Sequence, residues 1–85
     1  SSVNVLQIEI SDKNKNIEEI INVLKPKTLY LKLKSYRIEK NIFQYVFWFD
    51  VKKNDINSFI KITENLKKEQ ENISIHVYSR TGIYE

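Results

Sequence analysis

The chain has no cysteine and no methionine, and only one glycine, one proline and one histidine among its 85 residues. Without cysteine it has no disulfides and no thiolate ligands, and a single histidine is too few for a zinc site. The sole glycine, Gly82, also excludes a glycine-rich loop that cradles phosphates. The sequence therefore predicts no bound metal and no cofactor.

Long apolar runs and a signal-peptide pattern are absent too. A membrane-spanning helix needs roughly 20 consecutive apolar residues, so we expect no membrane partner. The lack of cysteine is typical of a reducing compartment, and the predicted location is cytoplasmic. Because the chain begins with two serines and lacks methionine, we expect a trimmed chain or an excised domain.

The charged residues are mildly basic in balance and well mixed. Fourteen Lys and Arg oppose eleven Asp and Glu, for a net charge of +3. Nucleic-acid binders usually carry a dense basic stripe, whereas the basic residues here form short separate groups, which we interpret as solvated surface. The length favours one small domain covering residues 1–85.

Alternating apolar residues predict four β-strands. Between the two middle strands, residues 37–42 contain no glycine, so we expect a connection longer than a tight two-residue turn. Residues 80–85 are expected to form a loosely ordered tail. The predicted strands cover residues 3–10, 28–36, 43–51 and 71–79.

Two amphipathic stripes predict helices between these strands. The first helix follows Asn16, a predicted N-cap with Glu19 three residues later, and Pro26 ends it. The second follows Asn54 or Asp55 as N-cap. The order βαββαβ predicts an α+β, ferredoxin-like fold with a four-stranded antiparallel sheet and two helices on one face. The apolar face of the second helix comprises Ile56, Phe59, Ile60, Thr63 and Leu66.

The third strand lies within the unusually apolar stretch IFQYVFWFDV, residues 42–51. One set of alternating residues, from Phe43 to Val51, is predicted to pack beneath the helices. Val46 and Trp48 would then lie on the open face, where such apolar patches often mark interfaces. Exposed aromatics without a partner and stacking on nucleic-acid bases are the alternatives. The predicted interface comprises Val46, Trp48, Tyr30, Tyr36, His76 and Tyr78, with Val5 beside them.

No constellation of catalytic residues is evident. His76 is expected on the open face of a strand, and neither Asp12 nor Asp50 has an obvious carboxylate partner. The third strand matches the RNA-recognition signature only at its apolar positions, and lacks the basic residue and the two small residues. We therefore predict a non-enzymatic chain and do not favour nucleic acid as its partner.

The segments LKSYR (33–37) and QYVFWFDV (44–51) resemble ACT domains, especially the regulatory domain of prephenate dehydratases. That family has a Tyr-Val/Leu-Phe-Phe-x-Asp strand, which Tyr45, Val46, Phe47 and Asp50 match. Ser35 matches the serine of the family's Glu-Ser-Arg-Pro segment. The other positions differ: Lys34 stands for the Glu, Tyr36 for the Arg, and Arg37 is displaced by one.

The resemblance implies a regulatory module that forms a homodimer and binds a phenylalanine-like amino acid. Such a module would control an attached catalytic domain or a partner enzyme of aromatic amino-acid biosynthesis. A protein-interaction or assembly module without a small ligand is the alternative, and a single-stranded nucleic-acid binder is a third hypothesis. The implied ligand site comprises Asp12, Asn14, Asn16, Ser35 and Arg37.

Overall fold

The structure, a computed structural model, describes residues 4–11 and 16–79 and the backbone of 82–83. The elements are β1 (Asn4–Ile10), α1 (Ile17–Leu24), β2 (Tyr30–Glu39), β3 (Ile42–Asp50), α2 (Ile56–Glu69), β4 (Ile73–Ser79) and β5 (Gly82–Ile83). The strands pair antiparallel in the order β2-β3-β1-β4-β5. The first four strands and the two helices confirm the predicted α+β, ferredoxin-like fold.

The core lies between the sheet and the helices, on the side that the alternation predicts. In β1, Leu6 is paired with Phe47 of β3 and Val77 of β4, and all three side chains are buried. The helices complete this layer, and the ring of Phe59 on α2 stacks on Phe49 at 4.5 Å between centroids. Burying side chains of this size contributes about 2 kcal/mol each, so this layer provides most of the hydrophobic stabilisation.

Both helices begin where the sequence predicts. The Asn16 side-chain oxygen accepts a hydrogen bond of 2.9 Å from the Glu18 amide, which confirms the N-cap of α1. Asp55 occupies the N-cap position of α2, but its side chain makes no capping hydrogen bond. After α1 the chain makes one 3₁₀ turn, Lys25–Lys27, which contains Pro26. In the described part of the chain neither helix is long and apolar enough to span a membrane.

The connection between β2 and β3 differs from the prediction. β2 ends at Glu39, three residues beyond its predicted end, and β3 begins at Ile42, one residue before its predicted start. Only Lys40 and Asn41 therefore lie between the paired residues Glu39 and Ile42. Both turn residues have positive φ, at 52° and 65°. The expected longer connection is therefore wrong: Asn tolerates the left-handed region without a glycine, and the long strand pairing holds Lys40 there.

A β-bulge in β2 changes which of its side chains share a face. The register shifts between Leu33 and Ser35, so Lys34 is the extra residue and Tyr36 lies opposite Tyr45. The sequence predicts Tyr36 on the open face beside Trp48. That placement is wrong, because one inserted residue moves every later side chain to the opposite face.

Part of the expected loose tail pairs with the sheet, while residues 80, 81, 84 and 85 of that tail lie outside the described residues. Gly82–Ile83 forms β5, which pairs with Tyr78 and Ser79 of β4. Backbone pairing along the edge of β4 therefore extends the sheet beyond the four predicted strands.

Candidate interaction surface on strand β2

In the described part of the chain, strand β2 lies at the edge of the sheet. Leu31 packs against the core, but three other apolar side chains on the helix side of β2 stay largely exposed. On the helix side of β1, Leu6 and Ile8 are fully buried. On the same side of β2, Leu33, Tyr36 and Ile38 are 54%, 51% and 54% exposed. We call these three residues the apolar row. Such an exposed apolar group on a small chain is typical of an interaction surface.

Tyr36 connects the apolar row to the core. Its ring lies 5.1 Å from the ring of Tyr45, which stacks in turn on Phe47 at 6.5 Å. Burial raises the pKa of the Tyr45 hydroxyl above its ordinary value of 10.0, and the neighbouring Tyr36 raises this pKa further. Tyr36 is therefore the exposed end of a run of three aromatic rings that reaches the buried Phe47.

The opposite side of β2 carries three basic side chains, all exposed: Lys32, Lys34 and Arg37. We call them the basic row. The Lys34 ammonium lies 4.3 Å from the centre of the Trp48 ring, and the Lys32 ammonium lies 5.9 Å from that of Tyr30. Contacts of a cation with an aromatic face are worth about 0.5–1 kcal/mol at exposed sites. These contacts stabilise the side chains of both lysines on the open face.

Arg37 is linked to the centre of the sheet by hydrogen bonds. Its Nε donates to the Gln44 side-chain oxygen at 2.8 Å, and Gln44 Nε2 donates to a Glu9 carboxylate oxygen at 2.7 Å. A guanidinium nitrogen of Arg37 also lies 3.6 Å from the Glu39 carboxylate. These side chains cross β2, β3 and β1, so Arg37 has a defined position beside the edge.

The register places the remaining predicted interface residues on the open face. Trp48 and Tyr78 both neighbour Val5 of β1, and His76 lies opposite Gln7. The His76 ring nitrogen also lies 3.1 Å from the Ser74 hydroxyl. Trp48 and Tyr30 are 38% and 36% exposed, less than any member of the apolar row. An interface role for Val46, Trp48, Tyr30, His76 and Tyr78 stays a prediction.

Of the predicted amino-acid site, Asn16, Ser35 and Arg37 lie among the described residues. Asp12 and Asn14 lie outside the described residues. Asn16 caps α1, while Ser35 and Arg37 lie on the open side of β2, where Arg37 contacts Gln44 and Glu39. Asn16 and Arg37 thus already have partners within the fold, and the amino-acid site stays a prediction.

Two cavities open at other places on the surface. One, of about 340 Å³, lies between the 3₁₀ turn and the start of α2, with Pro26 and Phe59 in its wall. The other, of about 240 Å³, lies beside Glu9 and Asn72. Neither is lined by Asn16, Ser35 or Arg37. Among the described residues no group of three His, Asp or Glu side chains is arranged to hold a metal ion.

Comparison with known proteins gives no match: no protein-family model fits the chain, and no curated protein or solved structure is significantly similar to it. The resemblance to ACT domains therefore stays a prediction that depends on residues 33–51.

Proposed function

We propose that this chain is a non-catalytic protein-interaction module that binds an extended partner segment along the free edge of β2. One observation carries the proposal: the apolar row of Leu33, Tyr36 and Ile38 is exposed on an edge strand. An edge strand offers unpaired backbone N–H and C=O groups to another strand. Partner segments commonly bind by adding such a strand, with side-chain contacts giving specificity.

The regular part of β2, next to the turn between β2 and β3, supports this mode of binding. Bulges and charges usually protect an edge from pairing, and β2 has a bulge at Lys34. Beyond it, residues 35–39 pair regularly with β3 and include two members of the apolar row. Covering a half-exposed side chain of this size contributes about 1 kcal/mol, so the row provides a modest gain in binding free energy.

A peptide-library selection against the full chain tests the proposal. We expect the selected peptides to bind at least about tenfold more weakly to the variant Leu33→Lys/Ile38→Lys, because two charges replace the apolar contacts. The matched control is Val23→Lys, at an exposed valine on α1. It should leave affinity unchanged, with circular dichroism confirming that each variant is folded.

Chemical shifts in NMR spectra should locate the bound peptides on β2. Peptides that bind equally well to wild type and to the Leu33→Lys/Ile38→Lys variant would contradict the proposal. So would a selection that yields no binding peptide at all.

A further inference from the structure

We infer that the segment bound by β2 alternates apolar with acidic residues, an inference that rests on the proposed function. In a strand paired with β2, successive side chains point to opposite faces of the sheet. Those on the helix side would lie beside the apolar row, and those on the open side beside the basic row. The apolar row thus favours apolar residues at the partner's helix-side positions, and the basic row favours acidic residues at its open-side positions.

The charges around the edge favour acidic residues on the open side. Along β2 the basic row is accompanied by one carboxylate, Glu39, which lies 3.6 Å from Arg37. Asp50 faces Tyr30 at the far end, and Glu9 accepts a hydrogen bond from Gln44 two strands away. The open side of β2, beside which the partner strand would lie, therefore carries three positive charges and one negative charge. Opposite charges on neighbouring strands stabilise their pairing, and like charges destabilise it.

The same charges disfavour a second copy of this chain as the partner. In an antiparallel pair of β2 strands that overlap fully, Lys32 lies opposite the second copy's Arg37. This arrangement doubles the positive charge along one face. A partner segment with carboxylates at these positions removes that repulsion.

The contact between Lys34 and Trp48 favours a protein segment over a nucleic acid. The Lys34 ammonium lies 4.3 Å from the indole centre, on a ring face that a base would need for stacking. A nucleic acid on the open face would also leave the apolar row exposed to water. An extended protein segment contacts both rows at once.

Three synthetic peptides of about nine residues, the length of a typical strand, test the inference on the full chain. One alternates Val and Glu, one alternates Val and Lys, and the third has the composition of the first with its residues in two blocks. By fluorescence anisotropy of labelled peptides, we expect the Val/Glu peptide to bind at least about tenfold tighter than the other two. Added salt should weaken its binding, because the contributing charges are exposed.

A charge-reversed variant makes the test specific to the basic row. Lys32→Glu/Arg37→Glu should reverse the preference, so that the Val/Lys peptide binds more tightly. The control Lys61→Glu/Lys68→Glu makes the same charge change at exposed positions of α2 and should keep the preference for Val/Glu.

Other outcomes overturn the inference. They are failure of the Val/Glu peptide to bind, equal binding of the Val/Glu and Val/Lys peptides, or tight binding of an oligo(dT) strand that competes with the Val/Glu peptide. If library peptides bind β2 but contain no acidic positions, the proposed function stands and this inference fails. If no peptide depends on β2, both fail.

Discussion

At the scale of single residues, Lys34 determines which side chains of β2 share a face. It is the extra residue of the bulge, so Leu33, Tyr36 and Ile38 all face the helix side despite their uneven spacing. The alternation in residues 28–36 instead predicts that Tyr36 lies on the open face of the sheet, together with Tyr30 and Trp48. Nothing in the local sequence marks the bulge, because bulges depend on how two strands pair.

Tyr45→Phe should change the stability of the chain at alkaline pH. Burial raises the pKa of the folded Tyr45 above 10.0, so above about pH 10 the unfolded chain loses this proton first. The folded state then binds more protons than the unfolded state, and the free energy of unfolding falls as pH rises. Below that pH the effect of the hydroxyl on stability is constant.

Urea unfolding from about pH 8 to pH 11 measures this effect. Relative to wild type, the free energy of unfolding of Tyr45→Phe should increase above about pH 10. The control is Tyr30→Phe, at an exposed tyrosine of the same chain. A pH-dependent gain of equal size in the control would show that the effect does not come from Tyr45.

At the scale of elements, the hairpin β2–β3 is the main departure from expectation. The lack of glycine predicts a longer connection, yet Lys40 and Asn41 form the turn with positive φ at both positions. Asn adopts this conformation several-fold more readily than most residues, whereas Lys has no such preference. Pairing along β2 and β3 therefore holds Lys40 in a conformation that its own preference does not favour.

Lys40→Asn should stabilise the fold, because Asn is favoured at the first position of such two-residue turns. We expect the free energy of unfolding to increase by part of the roughly 1–2 kcal/mol that the left-handed region costs most residues, as measured by urea denaturation. Lys53→Asn makes the same change in the loop before α2, at a residue without positive φ, and should have no comparable effect. An unchanged stability for Lys40→Asn would contradict this account of the turn.

At the scale of the whole molecule, the helices cover only part of the sheet. They bury the helix side of β1 but leave the apolar row of β2 at the edge exposed. The apolar row favours association of two copies, while the basic row beside it opposes pairing of identical strands. The balance between the two rows should depend on ionic strength, since salt screens exposed charges.

We expect the chain to be monomeric at low salt and to self-associate weakly as the salt concentration rises toward about 1 M, where the screening length is only about 3 Å. Sedimentation equilibrium measures this, and Ile38→Lys should abolish the association. The matched control, Val23→Lys, should retain it. The same measurement tests the homodimer predicted from the sequence. A dimer at low salt that survives Ile38→Lys would place the contact on another surface and contradict this prediction.

Local sequence patterns predict the order of the first four strands and the two helices, the N-cap at Asn16 and the buried faces of β1, β3 and α2. These features follow from local periodicity and capping, which depend on residues close together in the chain. The bulge at Lys34, the tight turn, β5 and the exposure of the apolar row become visible only in the folded chain. Each depends on which strands are neighbours and in what register, so no single segment encodes it.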